Sequence, residues 1–444
     1  MKSEILGGWG RAPLVRTSVA RPNETDLLEV VSRAARLVPR GSGRGYGDCA
    51  ICADGVTVAS ESFSKMGTIE DGRILVDAGV DLDTLLKYLV PQGWFVPVTP
   101  GTKFVTIGGA IAADIHGKNH HRDGSFGEYV DWIDLVTADG TIRRVSPNET
   151  PDLFWATIGG MGLTGFITRA QIRLTRITSS GITVLTTRHD DLEDLMGAML
   201  ERDKTHRYTV AWVDTLARDH QMGRSVLWAG DHTASDDLLR RQAKDPLRFR
   251  PRQRVTIPSK PQFCFVKPSS VKLFNEFWFR KSPRKPSTSH QSIDQFFYPL
   301  DGVGSWNRLY GRDGFVQYQF SVPDRSSELV KRFLDLVSGH RIPAFLSVLK
   351  RFGEPSGGWI SFPSPGWTLA VDIPTNAEGL GPLLDAFDQQ VADAGGRVYF
   401  AKDSRLLPRV VHAMYPKLRD FQELRKKTDP LGKFSSHLSR RLGL

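Results

Sequence analysis

The segment ADIHGKNHHRDGSFG (113–127) concentrates side chains that can bind a metal, transfer a proton or line a cofactor site. Its three histidines, His116, His120 and His121, suggest a zinc site. His116 and His120 are four residues apart, but Gly117 and the flanking turn residues argue against the helix that would align them. No acidic third ligand stands at a suitable spacing. These residues therefore argue against a metal site and leave a catalytic acid/base cluster or one wall of a cofactor pocket, in which His120 and His121 would only hold the loop.

Three glycine-rich segments favour a backbone cradle for an extended ligand. RGSGRGYGD (40–48) has glycine at alternate positions, so that consecutive N–H groups can converge on an anion. Its spacing is not the dinucleotide-binding fingerprint, and we expect a helix containing Pro39 before it rather than a strand. Alone, this segment leaves a phosphate-binding turn and an irregular surface loop both open. With PGTKFVTIGG (100–109) and TIGGMGLTGFI (157–167), it indicates a long diphosphate cofactor lying along the backbone.

The elements expected around these segments are short and mixed. Apolar spacing predicts helices at 23–38 and 83–90, and alternation predicts strands in VTVAS, RILVDAGV and FITRAQIRL. The turn ADG between VDWIDLVT and TIRRVS predicts a hairpin. After about residue 178, longer helical windows alternate with strand-like runs such as GFVQYQFSV and WTLAVDIP. We therefore predict the α+β class rather than a doubly wound sheet.

The composition is that of a globular chain with room for a cleft. Its 444 residues, 40% of them hydrophobic, suffice for two or three packed domains. The sequence shows neither a signal peptide nor a membrane span, so we expect a cytoplasmic or membrane-peripheral location, with a periplasmic one left open. Three cysteines are too few for a disulfide framework, and Cys49 and Cys52 are interpreted as two small loop residues.

The positive charge is concentrated in one segment, residues 240–285. It holds fourteen basic and two acidic residues, so that its net charge of +12 exceeds the +10 of the whole chain. Its basic residues are Arg240, Arg241, Lys244, Arg248, Arg250, Arg252, Arg254, Lys260, Lys267, Lys272, Arg280, Lys281, Arg284 and Lys285. Aromatic residues are interleaved with them, a composition that suits a membrane interface. A nucleic-acid site and a solvated loop are the alternatives.

The order of the glycine segments resembles that of the vanillyl-alcohol-oxidase class of FAD flavoproteins. RGxGRxYGD, PGTxxVTxGGAIAxDIHGKNHH, GSFG, LFWATxGGxGLTG and AKDSR follow one another, and the similarity runs from GGWGR to DPLGKF. Within the class, the chain is most similar to flavin subunits of epimerases that act on polyprenylphosphoryl ribose. The resemblance implies a two-domain α+β flavoprotein: an FAD-binding domain (1–178), a substrate-binding domain with the basic insertion (179–395), and a C-terminal segment (396–444) returning to the FAD domain.

The resemblance also implies which residues bind FAD. In the family, the segment matching Arg40 to Ala50 wraps the FAD diphosphate. The implied contacts are Arg40, Gly41, Ser42, Gly43, Arg44, Gly45, Tyr46, Gly47, Asp48, Cys49, Ala50, Gly101, Thr106, Ile107, Gly108, Gly109, His116, Gly117, Lys118, Asn119, Ile167 and Tyr399. Many members of the class bond the flavin covalently through a histidine in the first segment. Aligned on Asp48, that place is Arg44 here, so we predict non-covalent FAD.

Oxidation of an alcohol needs a hydride acceptor and a group that takes the hydroxyl proton. Lys402 in VYFAKDSR matches a lysine that lies near the reacting hydroxyl in the family. It could act as a base through a lowered pKa, or stay charged and polarise the oxygen, and the sequence leaves both open. Tyr46 and His116 are the supporting catalytic candidates, through hydrogen bonds to the sugar or the flavin.

The substrate pocket is predicted from strand alternation and from the resemblance. Gln317 and Gln319 of FVQYQF share one strand face. The other implied pocket residues are Trp212, Tyr298, Lys350, Phe352, Ala370 and Lys402. Lys350 is a candidate partner for a substrate phosphate. Ala370 stands where many members have a cysteine, which leaves the redox chemistry intact but puts sensitivity to thiol-directed ligands in doubt.

The function implied is FAD-dependent oxidation of the 2′-hydroxyl of polyprenylphosphoryl-β-D-ribofuranose to the 2-keto sugar. This is the first half of an epimerisation that supplies the arabinose donor for cell-wall arabinan. The implied partners are the lipid-linked phosphoribose, a separate NAD(P)H-dependent keto-sugar reductase and a peripheral membrane surface, with no nucleic acid. Two alternatives stay open: an oxidase of a free sugar, alditol or nucleoside-like alcohol, and a basic membrane- or nucleic-acid-binding protein with a vestigial flavin fold.

Overall fold

The computed structural model describes residues 1–238, 243–251, 253, 255–258, 264–344 and 346–444. Part of the predicted basic segment therefore lies outside the described residues, namely Arg240, Arg241, Arg252, Arg254 and Lys260.

The strands and helices of the described residues alternate along the whole chain. The strands are β1 (Lys2–Gly7), β2 (Leu14–Ala20), β3 (Leu37–Arg40), β4 (Val56–Ala59), β5 (Met66–Glu70), β6 (Arg73–Asp77), β7 (Trp94–Phe95), β8 (Val130–Val136), β9 (Ile142–Val145), β10 (Phe166–Arg173), β11 (Thr175–Arg176), β12 (Gly181–His189), β13 (Tyr208–Val213), β14 (Ser225–His232), β15 (Val255–Thr256), β16 (Ser287–Ser292), β17 (Val303–Gly304), β18 (Phe315–Val322), β19 (Ser347–Phe352), β20 (Gly366–Pro374) and β21 (Arg397–Val398). The helices are α1 (Glu24–Arg33), α2 (Leu82–Leu89), α3 (Ile107–Ala112), α4 (His120–Asp123), α5 (Pro151–Thr157), α6 (Leu192–Thr205), α7 (Pro268–Lys281), α8 (Ile293–Phe297), α9 (Glu328–Gly339), α10 (Leu380–Asp393), α11 (Pro408–Met414), α12 (Leu418–Thr428) and α13 (His437–Leu442).

The first 173 residues build two sheets that carry the glycine segments in their loops. One has the order β1-β2-β4-β3 and the other the order β5-β6-β10-β8-β9. The predicted hairpin is β8–β9, whose turn contains Gly140 with a φ of 79°, a conformation open to glycine. Helices α2 and α3 pack their apolar residues against the second sheet. The two sheets therefore hold the loops after β3 and before α3 close together.

An eight-stranded antiparallel sheet follows, in the order β16-β12-β14-β13-β19-β20-β18-β21. Helices α6, α9 and α10 share a large apolar core with this sheet, through residues such as Leu195, Phe333 and Phe387. In this order β20 lies between β19 and β18 and pairs with both of them. Because β21 pairs with β18 through Phe320 and Val398, the sheet extends beyond residue 395.

The C-terminal segment returns to the N-terminal sheets. Phe434 forms a parallel bridge with Leu37 and is fully buried among Leu27, Val31 and neighbouring apolar residues. The Leu37 N–H donates to Lys433 O at 2.7 Å. Phe434, almost 400 residues after Leu37, thus pairs with the edge strand β3 of the first sheet.

The predicted helix at 23–38 is confirmed over Glu24–Arg33, but its extension up to Pro39 is wrong. Helix α1 ends at Arg33, because Ala34 takes an extended backbone conformation. Leu37 and Val38 are fully buried and pair as a parallel strand with β4. The residue before a proline is biased toward extended backbone, which favours the strand locally, and burial against β4 and Phe434 completes it. The first glycine segment therefore follows a strand directly.

We predict that Phe434→Ala lowers the free energy of unfolding by about 3–5 kcal/mol, since it leaves a cavity in a fully buried cluster. Urea denaturation followed by circular dichroism measures the change. Leu431→Ala is the matched control, because this side chain is 80% exposed and its loss is expected to cost less than ~0.5 kcal/mol. Equal stability of the two variants would contradict the buried role of Phe434.

Candidate active site

A deep cleft brings the three glycine segments against the eight-stranded sheet. Its empty space, including the part open to solvent, is about 1750 Å³. The glycine segments contribute Arg40, Gly41, Ser42, Gly43, Arg44, Gly45, Tyr46, Cys49, Ala50, Gly101, Thr106, Gly108, Gly109, Met161, Gly162, Gly165, Phe166 and Ile167. His116, Gln317, Gln319, Lys350, Ala370, Tyr399 and Lys402 line the same space. Most of the predicted FAD and substrate residues thus surround one cavity.

The lining requires glycine where two segments touch. A Cβ atom at Gly41 would lie 2.1 Å from Thr106 Oγ1, so any other residue would push the first two segments apart. A Cβ at Gly108 would lie 3.0 Å from Ala78 Cβ, which is also too close without movement. At Gly101, in contrast, nothing described lies within 4 Å. The backbone therefore stays accessible to a ligand along this wall.

Arg44 carries a positive charge into the cleft. Its guanidinium lies 4.0 Å from the ring centre of Trp9 and 5.0 Å from that of Phe104, and burial lowers its pKa. Within the described residues it makes no hydrogen bond, whereas Arg40 donates to the carbonyls of Gly7 and Ala50. A buried guanidinium with unused N–H groups suits an anionic ligand group such as a diphosphate. The cradle and this cation therefore fit FAD.

Six of the predicted FAD contacts do not line the cleft. They are Gly47, Asp48, Ile107, Gly117, Lys118 and Asn119. Each supports the wall from behind. A Cβ at Gly47 would lie 1.7 Å from Asp403 O, Asp48 accepts from Arg441, and Asn119 Nδ2 donates to Pro97 O at 2.9 Å. Lys118 donates to the carbonyl of Phe296.

The predicted catalytic Lys402 is half-buried and lines the cleft. Its amine lies 3.6 Å from the ring centre of Tyr46, and burial lowers its pKa to about 7. The nearby carboxyl of Asp372 opposes this effect. Burial in turn raises the pKa of Asp372 to about 7, against the effect of a hydrogen bond from Gln317. At neutral pH, both Asp372 and Lys402 can therefore gain or lose a proton.

His116 is the centre of a second polar group in the cleft. Gln319 Nε2 lies 3.1 Å from His116 Nε2, and Lys350 Nζ lies 3.0 Å from Nδ1. Burial, followed by the charge of Lys350, lowers the pKa of His116 well below its usual value, so that the ring is neutral. A neutral imidazole has one donor and one acceptor nitrogen. The ring N–H can donate a hydrogen bond to Lys350 when this lysine is a neutral amine, a form made available because burial lowers its pKa to about 7. Alternatively, the ring N–H donates to the amide oxygen of Gln319, if the amide is turned by 180°.

Three of the predicted substrate residues, Trp212, Tyr298 and Phe352, lie behind the cleft rather than on its surface. Trp212 packs with Val226 and Phe279. Tyr298 is buried, and its hydroxyl lies 2.6 Å from Thr99 Oγ1. The Phe352 ring lies 4.7 Å from that of His116, and therefore supports the imidazole from the side.

The histidines of the opening segment separate in the structure. His120 begins the one-turn helix α4, and its two ring nitrogens contact Ser125 Oγ and the N–H of Gly353. His121 Nε2 lies 3.2 Å from the carbonyl of His206. Both side chains hold the loop. In the described parts of the chain, no group of three or more His, Cys, Asp or Glu residues is arranged to hold a metal ion.

Sequence reasoning missed Asp372 and the aromatic residues at the outer part of the cleft. Asp372 stands two residues after Ala370 on β20, so the alternation that selected Gln317 and Gln319 could have found it. The cleft is also lined by Trp9, which lies in a turn, and by Asp301 and Trp306, which lie in short 3-10 helices. No periodicity marks residues in such short segments, and only the folded chain brings these three together.

We predict that FAD is held without a covalent bond, because the place of the linking histidine is occupied by Arg44, whose guanidinium forms no such bond. After acid precipitation, flavin absorbance is expected in the supernatant, in an amount equal to that of a free FAD control. Flavin that stays with the pellet would contradict the prediction.

Comparisons with known proteins agree with this geometry. A family model described as an FAD binding domain matches residues 18–146, and one described as D-arabinono-1,4-lactone oxidase matches residues 372–442. The chain is 39% identical to a decaprenylphosphoryl-beta-D-ribose oxidase from Mycolicibacterium smegmatis, over 99% of this chain and 97% of that one. It is also 39% identical to an uncharacterized protein of Streptomyces coelicolor, over 82% of this chain and all of the other.

More distant relatives share only part of the chain. A D-lactate dehydrogenase from Archaeoglobus fulgidus is 27% identical over 41% of this chain and 44% of its own length. The near-complete match and the FAD domain outweigh such partial matches, and they set aside the alternative of a binding protein with a vestigial fold. The chain therefore belongs to the family of the decaprenylphosphoryl-beta-D-ribose oxidase and is an FAD-dependent oxidoreductase.

Proposed function

We propose that this protein oxidises the 2′-hydroxyl of a polyprenylphosphoryl-β-D-ribofuranose to the 2-keto sugar. The observation that carries the proposal is the position of Lys402: a half-buried amine, with its pKa lowered to about 7, in the lining of a cleft that fits FAD. The near-complete similarity to an oxidase of decaprenylphosphoryl ribose supplies the substrate class.

The glycine segments would hold the cofactor along the cleft. The backbone of residues 41–45 and of Thr106 to Gly109, together with Arg44, would bind its phosphates. The apolar side chains of Ala112, Ile115 and Ile167 would bound its ring system. When bound, FAD supplies the acceptor for the hydride that leaves the carbinol carbon.

Lys402 would take the hydroxyl proton as a neutral amine. A lysine with a pKa of about 7 is partly deprotonated at neutral pH. Tyr46 stays protonated, because burial raises the pKa of its phenol well above the usual value. Its hydroxyl can therefore donate to a sugar oxygen.

Side chains of the eight-stranded sheet would orient the sugar. Gln319 on β18 pairs with Ala370 on β20, and Ala370 pairs with Val348 on β19. The side chains of these three strands therefore form one continuous surface. Lys350 next to His116 is our proposed contact for the substrate phosphate. An anionic phosphate beside Lys350 would raise the pKa of this lysine again and favour its ammonium form.

We further propose that the substrate is drawn from a membrane surface and that a separate NAD(P)H-dependent reductase takes the keto sugar. None of the helices in the described ranges has the length and apolar character needed to cross a bilayer. A peripheral contact is therefore the form of membrane association that we propose.

Anaerobic mixing of the holoenzyme with short-chain polyprenylphosphoryl ribose, lactones, alditols and free ribose tests the assignment. We expect bleaching of the flavin absorbance by the lipid-linked sugar alone. Bleaching by a free sugar or a lactone instead would favour the alternative substrate class, which the match of residues 372–442 to a lactone-oxidase model also favours.

We predict that Lys402→Met slows flavin reduction by roughly 10²–10⁴-fold while FAD stays bound, since the variant removes the proton acceptor. Lys402→Arg is expected to be as slow, because a guanidinium does not deprotonate. Stopped-flow flavin absorbance measures the rate, with the exposed Lys426→Met as the control. A fast Lys402→Arg variant would show that the charge, and not the base, matters.

We predict that the rate of flavin reduction rises with pH and levels off above about 7, because the neutral form of Lys402 is the active one. The Asp372 carboxylate raises the pKa of Lys402, so Asp372→Asn is expected to move the rising limb to lower pH. Stopped-flow rates over a pH series measure this shift. A shift toward higher pH, or none, would contradict the coupling between the two groups.

A further inference from the structure

The substrate half carries one exposed apolar surface that the chemistry of the cleft does not use. It lies on helix α7, where Leu273 is 74% and Phe277 58% exposed. Residues four apart lie on the same side of a helix, so the two side chains form one patch. Phe265, which precedes the helix, is 60% exposed as well. We call these three residues the α7 patch.

Cations surround the α7 patch. Arg280 and Lys281 follow Phe277 by three and four residues, and therefore flank it on the outer side of the helix. Between residues 264 and 285 the chain has six basic residues and one acidic residue, Glu276. Glu276 is already paired with Arg224 and Arg280. The outer side of α7 is thus apolar in the middle and positive at its edges.

The inner side of α7 is firmly attached to the protein. Val271, Asn275 and Phe279 are buried, and Asn275 Nδ2 donates to Asp214 Oδ1 at 2.6 Å. Arg224 links Asp214 to Glu276 at distances of 2.8 and 2.7 Å. The exposed side chains therefore sit on a fixed helix and not on a loose loop.

The same helix borders the cleft. Val266 and Val271 pack in one cluster with Trp306, and Trp306 lines the cleft. Trp9 and Leu300 pack against this cluster and also line the cleft. The inner side of α7 therefore packs against residues that line the cleft, and its outer side faces away from them.

We propose that α7 lies on the surface of an anionic bilayer, with Leu273, Phe277 and Phe265 inserted between the headgroups and the flanking cations paired with lipid phosphates. An apolar stripe bordered by Lys and Arg is the arrangement of interfacial helices. This inference rests on the proposed function in one respect: it places the cleft where a lipid-linked sugar enters from the membrane. The contact with lipid is itself independent of the substrate.

Cosedimentation of the holoenzyme with substrate-free vesicles tests the proposal. We expect binding to vesicles that contain phosphatidylglycerol and weak binding to pure phosphatidylcholine. The double variant Leu273→Asp/Phe277→Asp is expected to bind the anionic vesicles at least ~10-fold more weakly. Lys272→Glu/Lys281→Glu is expected to remove the preference for anionic lipid.

The matched control is Leu431→Asp/Ile142→Asp, which changes two exposed apolar residues away from α7 and should leave vesicle binding unchanged. Flavin content and thermal unfolding verify that each variant is folded. Unchanged vesicle binding of the α7 double variant would overturn the proposal. So would binding of the holoenzyme to duplex DNA but not to vesicles, or a dimer that the double variant dissociates in the absence of lipid.

A wrong substrate assignment would give a different result from a wrong α7 proposal. In that case the holoenzyme would still bind anionic vesicles through α7, but lipid-linked ribose would not bleach its flavin. Conversely, if a short-chain soluble substrate bleaches the flavin but the holoenzyme does not bind vesicles, only the α7 proposal is contradicted.

Discussion

The partial burial of several amines in and behind the wall of one cleft is the constraint on which the rest of this structure depends. Lys350 and Lys402 line the cleft and Lys118 lies behind its wall, and the pKa of each is lowered to about 7, with burial as the main cause. The charges of Lys118 and Lys402 lower the pKa of Lys350 further. Three full charges in so small a volume would be costly, so neutral amines are available at ordinary pH. In the function that we propose, this availability lets an amine take the proton of an alcohol.

The fold assembles these amines from distant parts of the chain. Lys350 and the glutamines come from β19 and β18, which lie on either side of β20 in the eight-stranded sheet, and Lys402 comes from the turn that follows β21. That turn is held against the first glycine segment, because the Tyr46 N–H donates to Ala401 O at 2.8 Å. The first glycine segment and the turn that carries Lys402 are therefore joined by this backbone hydrogen bond. The return of Phe434 to β3 fixes the same C-terminal segment at its other end.

Much of this arrangement could be read from local patterns. The glycine spacing of residues 40–48 and the pair Gly108–Gly109 indicated a backbone cradle, and strand alternation placed Gln317 and Gln319 on one face. Tertiary pairing overrode the local reading at Pro39, where burial of Leu37 and Val38 against β4 makes a strand. Asp372 was overlooked because a carboxylate on an apolar strand gains meaning only from its neighbours, Gln317 and Lys402.

By itself, the sequence determined the class of the fold and the glycine cradle, because these depend on residue type and spacing, whereas Lys402 was predicted as the reacting amine from the family resemblance. Only the tertiary structure decided which of the predicted residues reach the cleft. Asn119 and Asp48 satisfy buried hydrogen bonds behind its wall, while Trp9 in a turn and Trp306 in a short 3-10 helix line it. The physical reason is that pKa values and access to a cavity depend on burial and on neighbours across the sheets, which no spacing along the chain records.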